Sequence, residues 1–100
     1  MDNQHRKIKG YRELSQAEID LMNRIKAKGA ELLDLQAELV GMLAQQGRDK
    51  AADAAENTST HAELERFQAA EPMRWASIGK TDIQTGIMAL VRAVAQPAGV

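Results

Sequence analysis

Three polar side chains near the C-terminal third, with an isoleucine beside them, could hold a phosphate. Arg74, Ser77, Ile78 and Thr81 recur at i, i+3, i+4 and i+7, so on a helix they share one face. A guanidinium forks onto two phosphate oxygens at once, and hydroxyls on the same rigid face can complete the contact. The competing reading is a helix first turn carrying a solvated Arg74 and a Trp75 packed into an interface. Near the N-terminus, Tyr11 is the only tyrosine and stands between Lys9 and Arg12. An aromatic ring among cations suits a nucleobase stacked beside its phosphate, a contact worth about 1–3 kcal/mol per base. Lys26 falls one residue past an apolar seam position, at the rim of any groove that seam forms. Taken singly, Tyr11 also reads as a lid on the core and Lys26 as a solvated cation.

Other chemistry fails on spacing. Gly79-Lys80-Thr81 has the ending of a phosphate-binding P-loop, but the glycine needed five residues earlier is Arg74, and no strand precedes it. The chain has no cysteine, which removes disulfides, thiolate metal sites and a cysteine nucleophile together. His5 and His61 are too far apart for a histidine metal cluster, and no nucleophile, base and orienting group can be assembled. The expectation is therefore no catalytic residue, no metal and no cofactor.

The elements that must position these residues are helical. Alanine supplies seventeen of the 100 residues and only three side chains are aromatic, so contact surfaces are thin and helix propensity is high. Residues 1–14 show no sustained period and read as a basic arm. Ser15-Gln-Ala-Glu18 fits a capping box and opens a helix. From there Met22, Ile25, Gly29, Leu32, Gln36, Leu39 and Leu43 alternate three and four apart, a seam for a neighbouring helix over 15–46. Gly29 costs about 1 kcal/mol of helix propensity there. It marks either a close approach by another backbone or a kink.

Gly47 ends that pattern, and 47–60 has no large apolar side chain, which reads as a connection. Thr60-His-Ala-Glu63 resembles a second capping box, opening a short helix over 61–71. The final helix, 72–96, carries Met73, Ala76, Lys80, Ile83, Ile87, Leu90 and Val94 in one row and Ile78, Thr85, Met88 and Val91 in another. A helix apolar on more than one side needs more than one partner. One hairpin cannot supply that, so the pattern predicts a homo-oligomer with these helices near its centre.

Charge narrows the partners. The net charge of −1 divides into basic ends and an acidic middle: residues 29–71 hold three basic against nine acidic side chains. Duplex nucleic acid is a poor partner for such a chain, whereas a small anion met by a few local cations suits it. No apolar stretch approaches the ~20 residues of a membrane span, and the polar N-terminus has no signal-peptide core.

The opening His5-Arg-Lys-Ile-Lys-Gly-Tyr-Arg-Glu-Leu-Ser15 and the closing run from Glu71-Pro-Met-Arg-Trp-Ala-Ser-Ile-Gly-Lys-Thr-Asp-Ile to Pro97 resemble the phage anti-CBASS two family. The likeness covers the first and last thirds of the chain, and 44–66 follows no fixed pattern. These are helical sponges for the cyclic oligonucleotide messengers of bacterial CBASS immunity. The resemblance implies an all-α fold, an N-terminal arm plus an antiparallel long-helix hairpin, interlocked into a homohexamer. It implies sequestration without cleavage, in the cytoplasm of the infected host, of cyclic dinucleotides such as 3′,3′-cGAMP and of cyclic trinucleotides at a separate site. Carried over by position, Tyr11 would stack on a dinucleotide base and Lys26 would hold its phosphates. Arg74, with Ser77 and Ile78, would line the trinucleotide site, with Lys80 and Thr81 as further contacts. Two other classes compete with a sponge: a messenger phosphodiesterase, and a structural or regulatory helical bundle without a small ligand.

Overall fold

In a computed structural model of the chain, which describes residues 12–98, helices dominate and the described residues contain no strand. Helix α1 spans Gln16–Glu56, a single 3-10 turn covers Thr58–Thr60, α2 spans His61–Ala70 and α3 spans Pro72–Ala95. α1 and α3 run antiparallel as a hairpin, and α2 folds beside the far end of α1. The rod measures 71 × 24 × 17 Å, as expected when a 41-residue helix sets the length at 1.5 Å per residue.

The start of α1 follows the sequence directly. Ser15 Oγ accepts from the Glu18 amide at 3.2 Å, and the Ser15 amide donates to the Glu18 carboxylate at 2.9 Å, closing the capping box. The end does not follow it. Residues 47–56, expected within a connection over 47–60, continue α1 by ten residues to Glu56. Alanines 51, 52, 54 and 55 are strong helix formers, and small residues are what the close approach of α2 requires. Ala54 is buried, and a Cβ placed on Gly47 would lie 3.5 Å from the Phe67 ring. Phe67 packs against Gly47 at a distance where a Cβ would also fit, and the glycine does not stop the helix.

The second capping box is absent. The Thr60 hydroxyl donates to the Asn57 carbonyl at 2.7 Å, and Thr60 makes no side-chain cap to α2. Glu63 turns instead to two cations: Lys50 of α1 at 2.9 Å and Arg66 at 2.6 Å. Lys50 also sits 5.7 Å from the Phe67 ring, so one lysine ties α2 to α1 by charge and by cation–π contact. His61 Nε2 and the Ala54 carbonyl are 2.6 Å apart, which serves a last-turn oxygen of α1. α2 ends at Ala70, one residue before the expected limit at 71. Glu71 takes a left-handed conformation (φ 50°), and Pro72 then begins α3 at its first position.

Between α1 and α3 the contact is narrow. Gly29 is buried, and a Cβ on it would stand 2.7 Å from Ile87 Cγ1. Gly29 therefore serves close helix approach. Seven residues along, Gln36 Nε2 donates to the Ala76 carbonyl of α3 at 3.1 Å, which explains a polar residue in the seam. The only buried apolar side chains among the described residues are Ala54 and Ala76. Leu21, Leu32, Leu35, Leu39, Met42, Met73, Trp75, Met88 and Leu90 all stand exposed. The accessible surface is 7593 Å², against about 5600 Å² for a compact monomer of this mass. The radius of gyration is 21.6 Å, where a compact chain of this length has about 13 Å. The hairpin is all rim and no centre.

Candidate functional site

Arg74 lies in the first turn of α3, its side chain 57% exposed. Its guanidinium carbon is 5.2 Å from the centroid of the Trp75 ring, and its Nη1 is 3.8 Å from the Glu71 carboxylate. The indole limits where the guanidinium can go, while the carboxylate offers a loose, exchangeable anion. Ala76 is buried and bonded to α1 through its carbonyl. With Ala76 facing α1, the 100° step per residue puts Arg74, Ser77, Ile78 and Thr81 on the opposite side of α3. Ser77 and Thr81 are exposed and Ile78 is half-buried. These four form one outward stripe, as the spacing predicts. Lys80 is exposed but points about a third of a turn away from that stripe.

Lys26 is exposed on α1 and borders two shallow grooves. One, of about 570 Å³, is floored by Gly29, Ala30, Leu33, Gln84, Ile87 and Met88. The other, about 370 Å³, continues past Val91 and Arg92 to Ala95 and Pro97. Tyr11 lies outside the described residues. The pairings of Gly29 with Ile87 and of Gln36 with Ala76 fix the register of the hairpin. They separate Lys26 from Arg74 by about 20 Å along the rod, at 1.5 Å per residue. Within one chain these are two locations.

A third cation matters that sequence reasoning treated only as Tyr11's neighbour. Arg12 pairs with Glu18 through both guanidinium arms, by contacts Nη2–Oε2 and Nη1–Oε1, the latter at 3.4 Å. The same Nη2 donates to the Val94 carbonyl in the last turn of α3 at 2.8 Å. Arg12 thereby joins the start of α1 to the end of α3. The Arg12 guanidinium, helped by the Ser15 amide, holds the Glu18 carboxyl down to about 2. Arg66, with Lys50, does the same for Glu63, also to about 2. Nothing in the local sequence signals the bond to Val94, because 82 residues separate the partners.

Among the described residues no cluster of three or more His, Asp or Glu has the arrangement of a metal site, and no helix is long and apolar enough to cross a membrane. What the arrangement can do is present cations and hydroxyls on exposed helix faces beside apolar grooves. It defines a class: a coreless helical hairpin that carries its cations and hydroxyls on its surface. The family profile of the Acb2/Tad1 hairpin domain matches residues 3–57 and 43–95. The chain is also 63% identical to Anti-CBASS protein 2 of Pseudomonas phage JBD67, aligned over 107 positions that cover 99% of each. It belongs to the Acb2/Tad1 hairpin family.

Proposed function

We propose that this protein is a phage sponge for cyclic oligonucleotide messengers, binding cyclic dinucleotides and cyclic trinucleotides without cleaving them and so blocking activation of CBASS immunity in the infected host cytoplasm. The observation that carries this reading is the end-to-end likeness, at 63% identity, to a protein named Anti-CBASS protein 2. The geometry supports it. Each protomer has two separate cation-bearing regions, one at Lys26 and one at Arg74, matching two ligand classes. Tyr11 and Lys26 take the dinucleotide; Arg74, Ser77 and Ile78, with Lys80 and Thr81 as outer contacts, take the trinucleotide.

The functional unit is a homohexamer of hairpins. Apolar residues on both helices, including Leu35, Trp75 and Met88, are left uncovered by the protomer, and further copies cover them. Where three α3 helices meet, three Arg74 side chains face one ring of three phosphates. Sequestration then works by mass action: an abundant, tight binder lowers free messenger below what its effector needs, with no bond made or broken.

Calorimetry against a panel including 3′,3′-cGAMP and a cyclic trinucleotide, with a solution mass on the same sample, tests this. Heat release for both ligand classes from a hexamer is the expected result. Flat traces throughout overturn it in favour of a bundle without a small ligand. Heating the complex and chromatographing the supernatant should return intact cyclic ligand; a linear product would identify a phosphodiesterase.

A further inference from the structure

The two grooves that Lys26 borders differ in charge from the groove next to them. Among the described residues neither has a carboxylate in its wall: Gln84, Ile87 and Met88 help to line one, and Val91, Arg92 and Pro97 the other. The neighbouring groove, between Leu21 and Leu90, is mixed, with Glu31 in its wall and Lys28 paired to that carboxylate at 3.3 Å. At Lys26, then, no wall residue competes with an anion. The second of its grooves also contains a second cation, Arg92, carried by the other helix.

The register of the hairpin makes these two cations nearly level. Gly29 faces Ile87; Lys26 stands three residues before Gly29 and Arg92 five residues after Ile87. Because α1 and α3 run antiparallel, both offsets point the same way along the rod and leave about 3 Å between the two positions, at 1.5 Å per residue. Helical side chains lean toward the N-terminus of their own helix. In this register Lys26 leans toward the level of Arg92, and Arg92 toward the level of Lys26. Arg92 also lies in the last turn of α3, at the negative end of the helix dipole. That end opposes an anion, and a cation placed there offsets it. Arg92 keeps an interaction within the chain as well, but a guanidinium has five N–H donors and can share them with a guest.

We infer that Arg92 is a second phosphate-binding residue of the cyclic dinucleotide site, held by α3 level with Lys26 of α1, so that one cation from each helix faces the ligand's phosphate ring. This rests on the reading above that Lys26 holds dinucleotide phosphates. The two cations are complementary in kind: the ammonium of Lys26 acts as a point charge, while the guanidinium of Arg92 forks onto two phosphate oxygens. Beside them Met88 lines both grooves and is 70% exposed, and its polarizable thioether suits the face of a base. Arg74 lies eighteen residues back along α3, about 27 Å at 1.5 Å per residue, so the trinucleotide contacts do not draw on Arg92.

The test uses the full chain in its assembled form, with Arg92→Gln and Arg92→Lys titrated calorimetrically against 3′,3′-cGAMP and a cyclic trinucleotide at low and at high salt. Arg92→Gln should weaken 3′,3′-cGAMP binding by about ten- to hundredfold at low salt, the loss of one charged hydrogen bond. The gap to the unmodified protein should narrow as salt rises, because screening acts on the charge that was removed. Arg92→Lys keeps the charge, both for the ligand and for the helix end, and should lose less. Trinucleotide affinity and solution mass should stay as they were in both variants. Unchanged 3′,3′-cGAMP affinity in Arg92→Gln, while Lys26→Ala abolishes binding, overturns this inference and leaves the proposed function standing. A lysine variant no better than the glutamine one, a gap indifferent to salt, or equal loss of both ligand classes overturns it too, since each denies the position a charge contact with the dinucleotide. No dinucleotide binding by the unmodified protein defeats the function proposed above, and this inference with it.

Discussion

Substituting Gly29 by alanine sets two opposing effects against each other, and the structure says which wins. Alanine gains about 1 kcal/mol of helix propensity over glycine. At Gly29, however, the new Cβ would stand 2.7 Å from Ile87 Cγ1 and 2.9 Å from Cδ1. Ile87 is β-branched and confined to essentially one χ1 rotamer in a helix, so Cγ1 cannot swing aside as a flexible chain end could. Either the rotamer breaks or α1 and α3 separate, at the overpacking cost of about 1–3 kcal/mol. The net expectation is destabilisation by about 0–2 kcal/mol after the propensity gain is subtracted. Gly41 is the internal control, since a Cβ there meets nothing within 4 Å and Gly41→Ala should stabilise. A double-mutant cycle sharpens the case: in an Ile87→Ala background the clash disappears, so Gly29→Ala should change sign and stabilise. Urea unfolding at one fixed protomer concentration, without ligand, measures all of this, because association makes stability concentration-dependent. If Gly29→Ala stabilises as much as Gly41→Ala, or if the cycle shows no coupling, the close-approach account is wrong.

Other expectations follow from single residues. Tyr11→Ala or Lys26→Ala should abolish cyclic dinucleotide binding by calorimetry while the oligomer mass and trinucleotide binding persist; unchanged affinity would refute the pocket assignment. Arg74→Ala should weaken trinucleotide binding selectively, and equal loss of both ligands would argue for one shared site. The sole tryptophan, Trp75, is 59% exposed in one protomer, so its emission should lie to the blue in the assembly and move red on dilution; an invariant, red-shifted maximum would place it outside any interface. Glu18 and Glu63 each titrate near 2 in the folded chain, from an ordinary 4.5. Their contribution is present above 4.5 and lost as pH falls toward 2. Glu63→Gln should therefore flatten thermal stability against pH across that window, least at high salt; an unaltered slope would deny the Lys50–Glu63–Arg66 contacts a role.

How far the sequence speaks depends on the range of each interaction. The Ser15–Glu18 box is local and readable from four residues. Gly29 left a close approach or a kink open from sequence and Gln36 stood unexplained in the seam; Ile87 and the Ala76 carbonyl are the neighbours that account for them. Reading Gly47 as a terminator failed for the same kind of reason in reverse. A glycine followed by an alanine-rich stretch looks like a helix running out, yet here the alanines continue α1, with Ala54 buried where His61 reaches its carbonyl. Thr60 had the right spacing for a cap but spent its hydroxyl on Asn57, a competition between two local bonds that spacing cannot rank. Arg12 was legible as a cation beside an aromatic ring; its grip on Val94 depends on α3 returning to the start of α1. The outward stripe of Arg74, Ser77, Ile78 and Thr81 was fully legible, since helical periodicity alone defines it once Ala76 faces inward.

Magnitudes indicate what the arginine stripe can and cannot do in a sponge. An exposed ion pair contributes about 0.2–1 kcal/mol, so a single Arg74 on the surface of one rod is a weak anion site. Three converging on one ligand, each making a charged hydrogen bond worth about 1.5–3 kcal/mol, supply together about 5–9 kcal/mol. Losing the free motion of the ligand costs about 4–15 kcal/mol, so convergent arginines alone leave little surplus. Tight sequestration then requires the bases as well as the phosphates, and the stripe has the right neighbours for that. Ile78 is half-buried and apolar, able to pack against a base face, and Ser77 offers a hydroxyl to a base edge. Trp75, by limiting the Arg74 guanidinium, cuts the ordering cost further. A coreless hairpin is well suited to this arrangement, because the surfaces that lack a partner within the protomer are the ones symmetry can bring together around a ring.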